Sequence, residues 1–131
     1  MAEPTTPDTH VLLQEHNVPL GLYIDGTWEA PPSRFDVVNP STGRVIASVS
    51  DGTAADGVRA LDAAVAAQES WRRMSARMRA DLFHAAHQLM VTKADAFADI
   101  MTLESGKPRK ESKGEFALSM SFFQWYAEQI A

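Results

Sequence analysis

The sequence has 131 residues, enough for one small domain, and its 45% hydrophobic and 22% charged residues are typical of a soluble globular protein. The net charge of -5 argues against a general nucleic-acid-binding protein, and the lack of cysteine excludes a disulfide framework, a thiolate metal site and a cysteine nucleophile in these residues. There is no basic, then apolar, secretory signal at the start and no run of roughly 18 apolar residues, so we expect a cytoplasmic protein.

Residues 1–19 are predicted to form a flexible N-terminal arm. They are polar and rich in proline and threonine, and only Val11, Leu12 and Leu13 could anchor them against a folded body. The arm is therefore expected to be loosely held.

A small antiparallel β unit is predicted at residues 22–50. Its first hairpin is LYIDGTWEA, in which Asp25-Gly26 suits the positive φ angles of a type I′ turn. Its second pair of strands is FDVV and RVIASVS, joined by a proline- and glycine-containing turn at residues 39–43.

From Asp51 the apolar period changes from two residues to about 3.6, which predicts helices. Thr53 and Ser75 are expected to cap the first two helices, with Trp71 in the connection between them. The third helix is predicted from about Ala94 to Glu104, and Gly106 and Pro108 end it. The predicted apolar stripes are Val58, Leu61 and Val65 on the first helix, and Met78, Leu82, Ala86 and Leu89 on the second.

The last helix follows Pro108 and is apolar on two faces. One face carries Phe116, Met120, Phe123, Ala127 and Ile130, and the other carries Leu118, Phe122 and Trp125. Such a helix needs cover on both sides, which the short chain upstream does not provide. We therefore expect an α/β fold in which a small antiparallel β unit precedes four helices, and which is incomplete as a domain.

The residues alone give little sign of catalysis. Ser105-Gly106-Lys107 is similar to the end of a phosphate loop, but such a loop needs glycine where Met101 stands, and Pro108 replaces its Ser or Thr. No arrangement of Ser, His and Asp specifies a hydrolytic triad.

Three further groups have a simple interpretation. His84 and His87 are three residues apart on a helix without a third metal ligand in view, so a solvated pair is favoured over a metal site. A run of arginines is interpreted as a solvated rim in preference to an anion site: Arg72, Arg73, Arg77 and Arg79. A cluster of aromatic residues is interpreted as core in preference to a substrate pocket: Phe122, Phe123, Trp125 and Tyr126.

Four motifs together give the chain a resemblance to a known family. They are LYIDGTW, VNPSTGRVIASVSDGTAADGVRALDAAVAAQESW, LESGKP and FFQWYAEQIA, in this order. Over residues 20–131 the chain resembles the N-terminal quarter of the aldehyde dehydrogenase superfamily. Gly114-Glu115 and the FFQWYAEQIA ending are most similar to the succinate-semialdehyde dehydrogenase branch. Residues 20–131 would then be the truncated N-terminal segment of the nucleotide-binding domain.

The resemblance implies an enzyme that oxidises an aldehyde, succinate semialdehyde in this branch, to its acid with NAD or NADP. In the family the catalytic cysteine, the glutamate and the nucleotide site lie well beyond position 131, so this chain is expected to carry no catalytic residue and to bind no cofactor alone. A small-molecule aldehyde substrate and a homo-oligomer are implied for the complete enzyme. From the charge, the hydropathy and the residues themselves, no nucleic-acid partner, membrane or metal is expected for this chain. The short chain is expected to associate through exposed apolar surface.

The resemblance also implies roles for a few residues. The last helix lines the substrate tunnel in the family, which places Leu118 and Phe122 near the aldehyde. Glu104 and the carbonyl of Val37 match positions that hold a monovalent cation in some members, although an exposed glutamate needs no ion to explain it.

Two hypotheses remain open at this point. In the first, the chain is a fragment of an NAD(P)-dependent aldehyde dehydrogenase. In the second, it is a noncatalytic binding partner that docks on a full-length homologue. The missing stop signal after Tyr126 favours the first hypothesis.

Overall fold

The computed structural model describes residues 16–130, which form two small antiparallel sheets followed by four helices. The strands are β1 (Leu22–Ile24), β2 (Thr27–Glu29), β3 (Arg34–Val38) and β4 (Val45–Ser50), and the helices are α1 (Ala54–Arg73), α2 (Ala76–Thr92), α3 (Ala94–Ser105) and α4 (Arg109–Ile130). This order confirms the predicted fold class. The predicted anchor at residues 11–13 lies outside the described residues.

Both predicted hairpins are present. Asp25 and Gly26 have φ angles of 49° and 78°, as a turn with two positive φ angles requires. The β1–β2 register places Tyr23 opposite Trp28, and their ring centroids are 5.0 Å apart. In the second sheet Gly43 closes the turn with a φ of 69°. The hairpins form two separate two-stranded sheets, so the β unit is not one continuous sheet.

The helix boundaries follow local capping chemistry. At α1 the Thr53 hydroxyl accepts a hydrogen bond from the Asp56 N–H, and the Asp56 carboxylate accepts one from the Thr53 N–H, which makes a capping box. At α2 the Ser75 hydroxyl accepts a hydrogen bond from the Met78 N–H. The prediction for Trp71 was wrong, because α1 continues to Arg73 and Trp71 lies within the helix.

The helical core lies where α4 packs against α2 and α3. Small residues are among the most buried in this core: Ala80, Ala98 and Ala127 are each at most 1% exposed. Alanine side chains are short, so they permit close packing of helices, and the larger side chains of Phe116 and Leu103 are buried as well.

The stripe predicted for α2 was wrong in its packing. Met78, Leu82 and Leu89 are 50–62% exposed, whereas the side of the helix that carries Ala80 and the half-buried Phe83 meets the core. The large apolar residues of the predicted stripe lie on the face of α2 opposite to Ala80. Sequence periodicity favours the face with the larger apolar residues, so it did not reveal that the buried face carries an alanine.

The stripe predicted for α1 exists but is uncovered in the part of the chain that the structure describes. Val58, Leu61 and Val65 are 58–62% exposed, and no residue of α1 is buried. Its contact with the rest of the structure includes an ion pair between Arg59 and Glu29 of β2, with Nη2 and Oε1 2.5 Å apart. Of the four helices, α1 is thus the least supported by packing.

Gly106 lies where the end of α3 meets Pro40 in the turn between β3 and β4. It ends α3 in the left-handed region with a φ of 72°, and a Cβ atom there would lie 2.8 Å from Cγ of Pro40. We expect Gly106→Ala to lower the free energy of unfolding by at least about 1–2 kcal/mol, from the left-handed backbone alone. Denaturant unfolding of the 131-residue chain measures this.

Gly57→Ala is the matched control, because Gly57 lies within α1 and has open space around its Cα atom. This substitution should raise the free energy of unfolding by roughly 0.5–1 kcal/mol, since alanine favours a helix over glycine. Equal effects of the two substitutions would contradict the left-handed conformation of Gly106.

Candidate functional site

The candidate site is built on α4, whose two apolar faces have different environments. On the inner face Ser112 and Ala127 are fully buried and Phe116 is 6% exposed. On the outer face Leu118 and Phe122 are 59% and 53% exposed. The two stripes predicted from the sequence are therefore one core face and one open face. The preference for a core role of the aromatic cluster was wrong in the part of the chain that the structure describes, because its members are 36–53% exposed: Phe122, Phe123, Trp125 and Tyr126.

Specific contacts fix the inner face of α4 against α2 and α3. The Phe116 ring stacks on Phe97 of α3, with centroids 4.4 Å apart and planes 12° apart. The hydroxyls of Ser112 and Thr102 are hydrogen-bonded at 2.9 Å. Phe123 meets Phe83 of α2 at a centroid distance of 5.8 Å. These contacts fix the rotation of α4, so they decide which residues the outer face presents.

The outer face of α4, defined by Leu118, Phe122 and Trp125, forms an open apolar wall. Leu118 and Phe122 are one turn apart, and Trp125 packs edge-on against Tyr126 with ring centroids 4.8 Å apart. Phe122 and Trp125 line a hollow of about 560 Å³ whose lining residues all belong to α4. Ligand sites usually bury most of a ligand, so this wall needs a second wall to complete a site.

Charged residues hold the first turns of α4 to α3. Arg109 pairs with Asp99 and with Asp95, where Nη2 and Oδ1 are 2.9 Å apart, and Lys113 Nζ lies 2.7 Å from the same Asp95 oxygen. Hydrogen bonds from Lys113 and Arg109, with the positive charge of both, lower the pKa of Asp95 from its ordinary value. Lys107 pairs with Glu115. These exposed pairs orient the helix start more than they stabilise it.

The residues around Gly106 do not fit a phosphate. The side chains of Pro40 and Ser41 occupy the space that a Cβ of Gly106 would take, and Lys107 is paired with Glu115. The backbone there is therefore covered by protein rather than open to an anion. This geometry agrees with the preference against a phosphate loop, and it offers no cradle for a dinucleotide at this turn.

The remaining sequence candidates are not brought together. His84 is exposed and His87 half-buried on α2, and between residues 16 and 130 no group of three His, Asp or Glu side chains could hold a metal ion. Arg72 and Arg73 pair with Glu69, and Arg77 pairs with Asp81, as in a solvated rim. Arg79 does not fit this rim, because it is half-buried and its Nε has no hydrogen-bond partner among the described residues. The cation site suggested for Glu104 and the Val37 carbonyl stays a prediction; Glu104 itself is exposed.

An apolar groove between α2 and α3 was not predicted from the sequence. Leu89, Phe97 and Ile100 line it. The spacing of Phe97 and Ile100 predicts that they share one face of α3, but it does not predict that Leu89 of α2 lines the same groove.

Comparison with known proteins places this geometry in a family. The model of the aldehyde dehydrogenase family matches residues 28–131. The chain belongs to the aldehyde dehydrogenase family. It is 44% identical over 96 residues to a probable succinate-semialdehyde dehydrogenase [NADP(+)] of Sinorhizobium fredii, covering 73% of this chain and 20% of the relative. It is 39% identical over 109 residues to glutarate-semialdehyde dehydrogenase of Pseudomonas aeruginosa, covering 82% and 23%.

A solved structure has the same fold. Betaine aldehyde dehydrogenase of Staphylococcus aureus, a double mutant in complex with NAD⁺, superposes with a TM-score of 0.85 and 31% identity over 92% of this chain and 24% of that chain. The resemblance to the aldehyde dehydrogenases and the predicted fold class are thereby confirmed. The chain spans about a fifth of the length of the curated relatives that it matches.

The Asp95 cluster gives a prediction about pH. Because the pKa of Asp95 is lowered in the folded chain, its stabilising effect is complete above the unfolded pKa of about 3.9 and is lost as the pH falls through the folded pKa. We expect Asp95→Asn to lower the melting temperature at pH 7, and the difference from the parent chain to shrink as the pH falls from 5 to 2. Thermal unfolding followed by circular dichroism measures it. A difference that stays constant to pH 2 would contradict the ion pairs.

Proposed function

We propose that the chain forms the N-terminal part of an NAD(P)-dependent aldehyde dehydrogenase and that the outer face of α4 is one wall of its substrate tunnel. The observation that carries the proposal is this face itself. Leu118 and Phe122 are apolar and more than half exposed, and the inner-face contacts of Phe116 and Ser112 hold them in one orientation. An exposed apolar surface on a rigid helix is typical of a binding wall that another part of a protein completes.

The proposed substrate is an aldehyde that carries a carboxylate at its other end. Support comes from the names of the two relatives, which act on succinate semialdehyde and glutarate semialdehyde. Succinate semialdehyde is the first choice, because that relative has the higher identity. The cofactor is NAD or NADP: the same relative is named for NADP(+), and the superposed structure contains NAD⁺.

Within this proposal the chain binds and orients the substrate and does no covalent chemistry. Leu118 and Phe122 would contact the methylene groups of the aldehyde and exclude water from them. The nucleophile and the groups that act on the aldehyde carbon would come from elsewhere in a longer protein, since these 131 residues contain no cysteine. A bound nucleotide would supply hydride acceptance. A homo-oligomer and a cytoplasmic location belong to the same proposal.

The intact mass of the polypeptide with this N-terminal sequence, in its source cell, tests the proposal first. We expect several times the 14.4 kDa of the present chain, and NAD(P) reduction that depends on succinate semialdehyde. A mass of 14.4 kDa would contradict the proposal and favour the alternative, a noncatalytic partner of a full-length homologue.

Phe122→Ala in the longer enzyme then tests the wall. Removing the ring leaves less apolar contact with the substrate, so kcat/KM for the aldehyde should fall by about tenfold or more. Phe35→Ala is the matched control, because Phe35 of β3 is 52% exposed against 53% for Phe122 and lies outside the outer face of α4. If the enzyme is active and both substitutions lower kcat/KM equally, the result contradicts the place of α4 in the tunnel. The proposed aldehyde oxidation would still stand.

A further inference from the structure

The groove between α2 and α3 is apolar and open beside the first described residues. Its volume is about 400 Å³, and its walls are Leu89 and Met90 from the end of α2, Phe97 and Ile100 from α3, and Val18 and Pro19 from the segment before β1. Leu89 is 62% exposed and Phe97 is 43% exposed. At about 30 Å³ per water molecule, the groove would hold more than ten waters against an apolar surface, which is unfavourable.

We propose that the segment Val11-Leu12-Leu13 of the same chain binds in this groove. The chain reaches the groove at His16, which also lines it. Leu13 is three residues before His16 and Val11 is five, so an extended chain places them within roughly 11 and 18 Å of it. The segment therefore reaches the groove without rearrangement of α2 or α3.

The chemistry of the segment matches the groove. Residues 11–13 are the only aliphatic run before His16, and polar residues flank them on both sides. Glu15, two residues after Leu13, carries a negative charge, and Lys93 lines the groove with a positive one. Burial of the aliphatic side chains against Leu89 and Phe97 would leave the charged groups at the rim, where water reaches them.

The tether favours this occupant over a separate molecule. A short linker gives an attached segment an effective concentration in the millimolar range. A second copy of the chain at micromolar concentration would compete at about a thousandfold disadvantage for an equal contact. The segment would then brace the junction of α2 and α3, on which α4 packs.

Thiol labelling tests the proposal, because the chain contains no cysteine of its own. Leu89→Cys places a thiol in the groove, and its labelling rate is measured with and without the substitutions Leu12→Asp and Leu13→Asp. If the segment occupies the groove for about 80% of the time, labelling should be about fivefold faster when the two leucines are replaced. Met90→Cys is a second probe in case Leu89→Cys does not fold.

Leu61→Cys is the matched control, since Leu61 on α1 is also 62% exposed and lies outside the groove. The labelling rate of Leu61→Cys should be the same with and without the substitutions Leu12→Asp and Leu13→Asp. Equal labelling of the groove thiol with and without the aspartates would overturn the proposal. Slow labelling that depends on protein concentration would also overturn it, because a second copy would then be the occupant.

Discussion

The structure depends on how α4 is seated on α2 and α3. Three features of the inner face decide this arrangement: the fully buried Ala127, the Thr102–Ser112 hydrogen bond, and the Phe97–Phe116 stack. A hydrogen-bonded hydroxyl pair and a near-parallel ring stack are directional, so together they fix the rotation of the helix as well as its position. The orientation of every residue on the outer face follows from that rotation.

Because the rotation of α4 is fixed, its second apolar stripe is held away from the core. The composition of the helix alone does not predict which stripe is exposed. Leu118, Phe122 and Trp125 are more than half exposed on a rigid helix in a family of aldehyde-oxidising enzymes. Under the proposed function these residues form an apolar wall, and the reacting groups come from elsewhere in a longer protein. The apolar stripe of α1, formed by Val58, Leu61 and Val65, is likewise left uncovered by the described residues.

Local signals predicted much of the fold, because capping and turn chemistry act over a few residues. Asp25-Gly26, Thr53, Ser75 and Gly106 each mark a boundary that the structure retains. Packing was harder to predict, since α2 meets the core over Ala80 rather than over its large residues. The two faces of α4 were visible in the sequence, but which face meets α2 and α3 depends on contacts distant in the chain. The place of Leu118 and Phe122 in a tunnel came from resemblance and stays a prediction.

The most direct test compares two phenylalanines on opposite faces of α4. Phe116→Ala should lower the free energy of unfolding of the 131-residue chain by about 3–5 kcal/mol, or abolish its cooperative unfolding, because Phe116 is 6% exposed. Phe122→Ala should change it by no more than about 0.5 kcal/mol, because that ring is 53% exposed. Denaturant unfolding of both variants measures the contrast. Losses of similar size would show that both faces of α4 are buried, and would contradict an outer face that is free to bind.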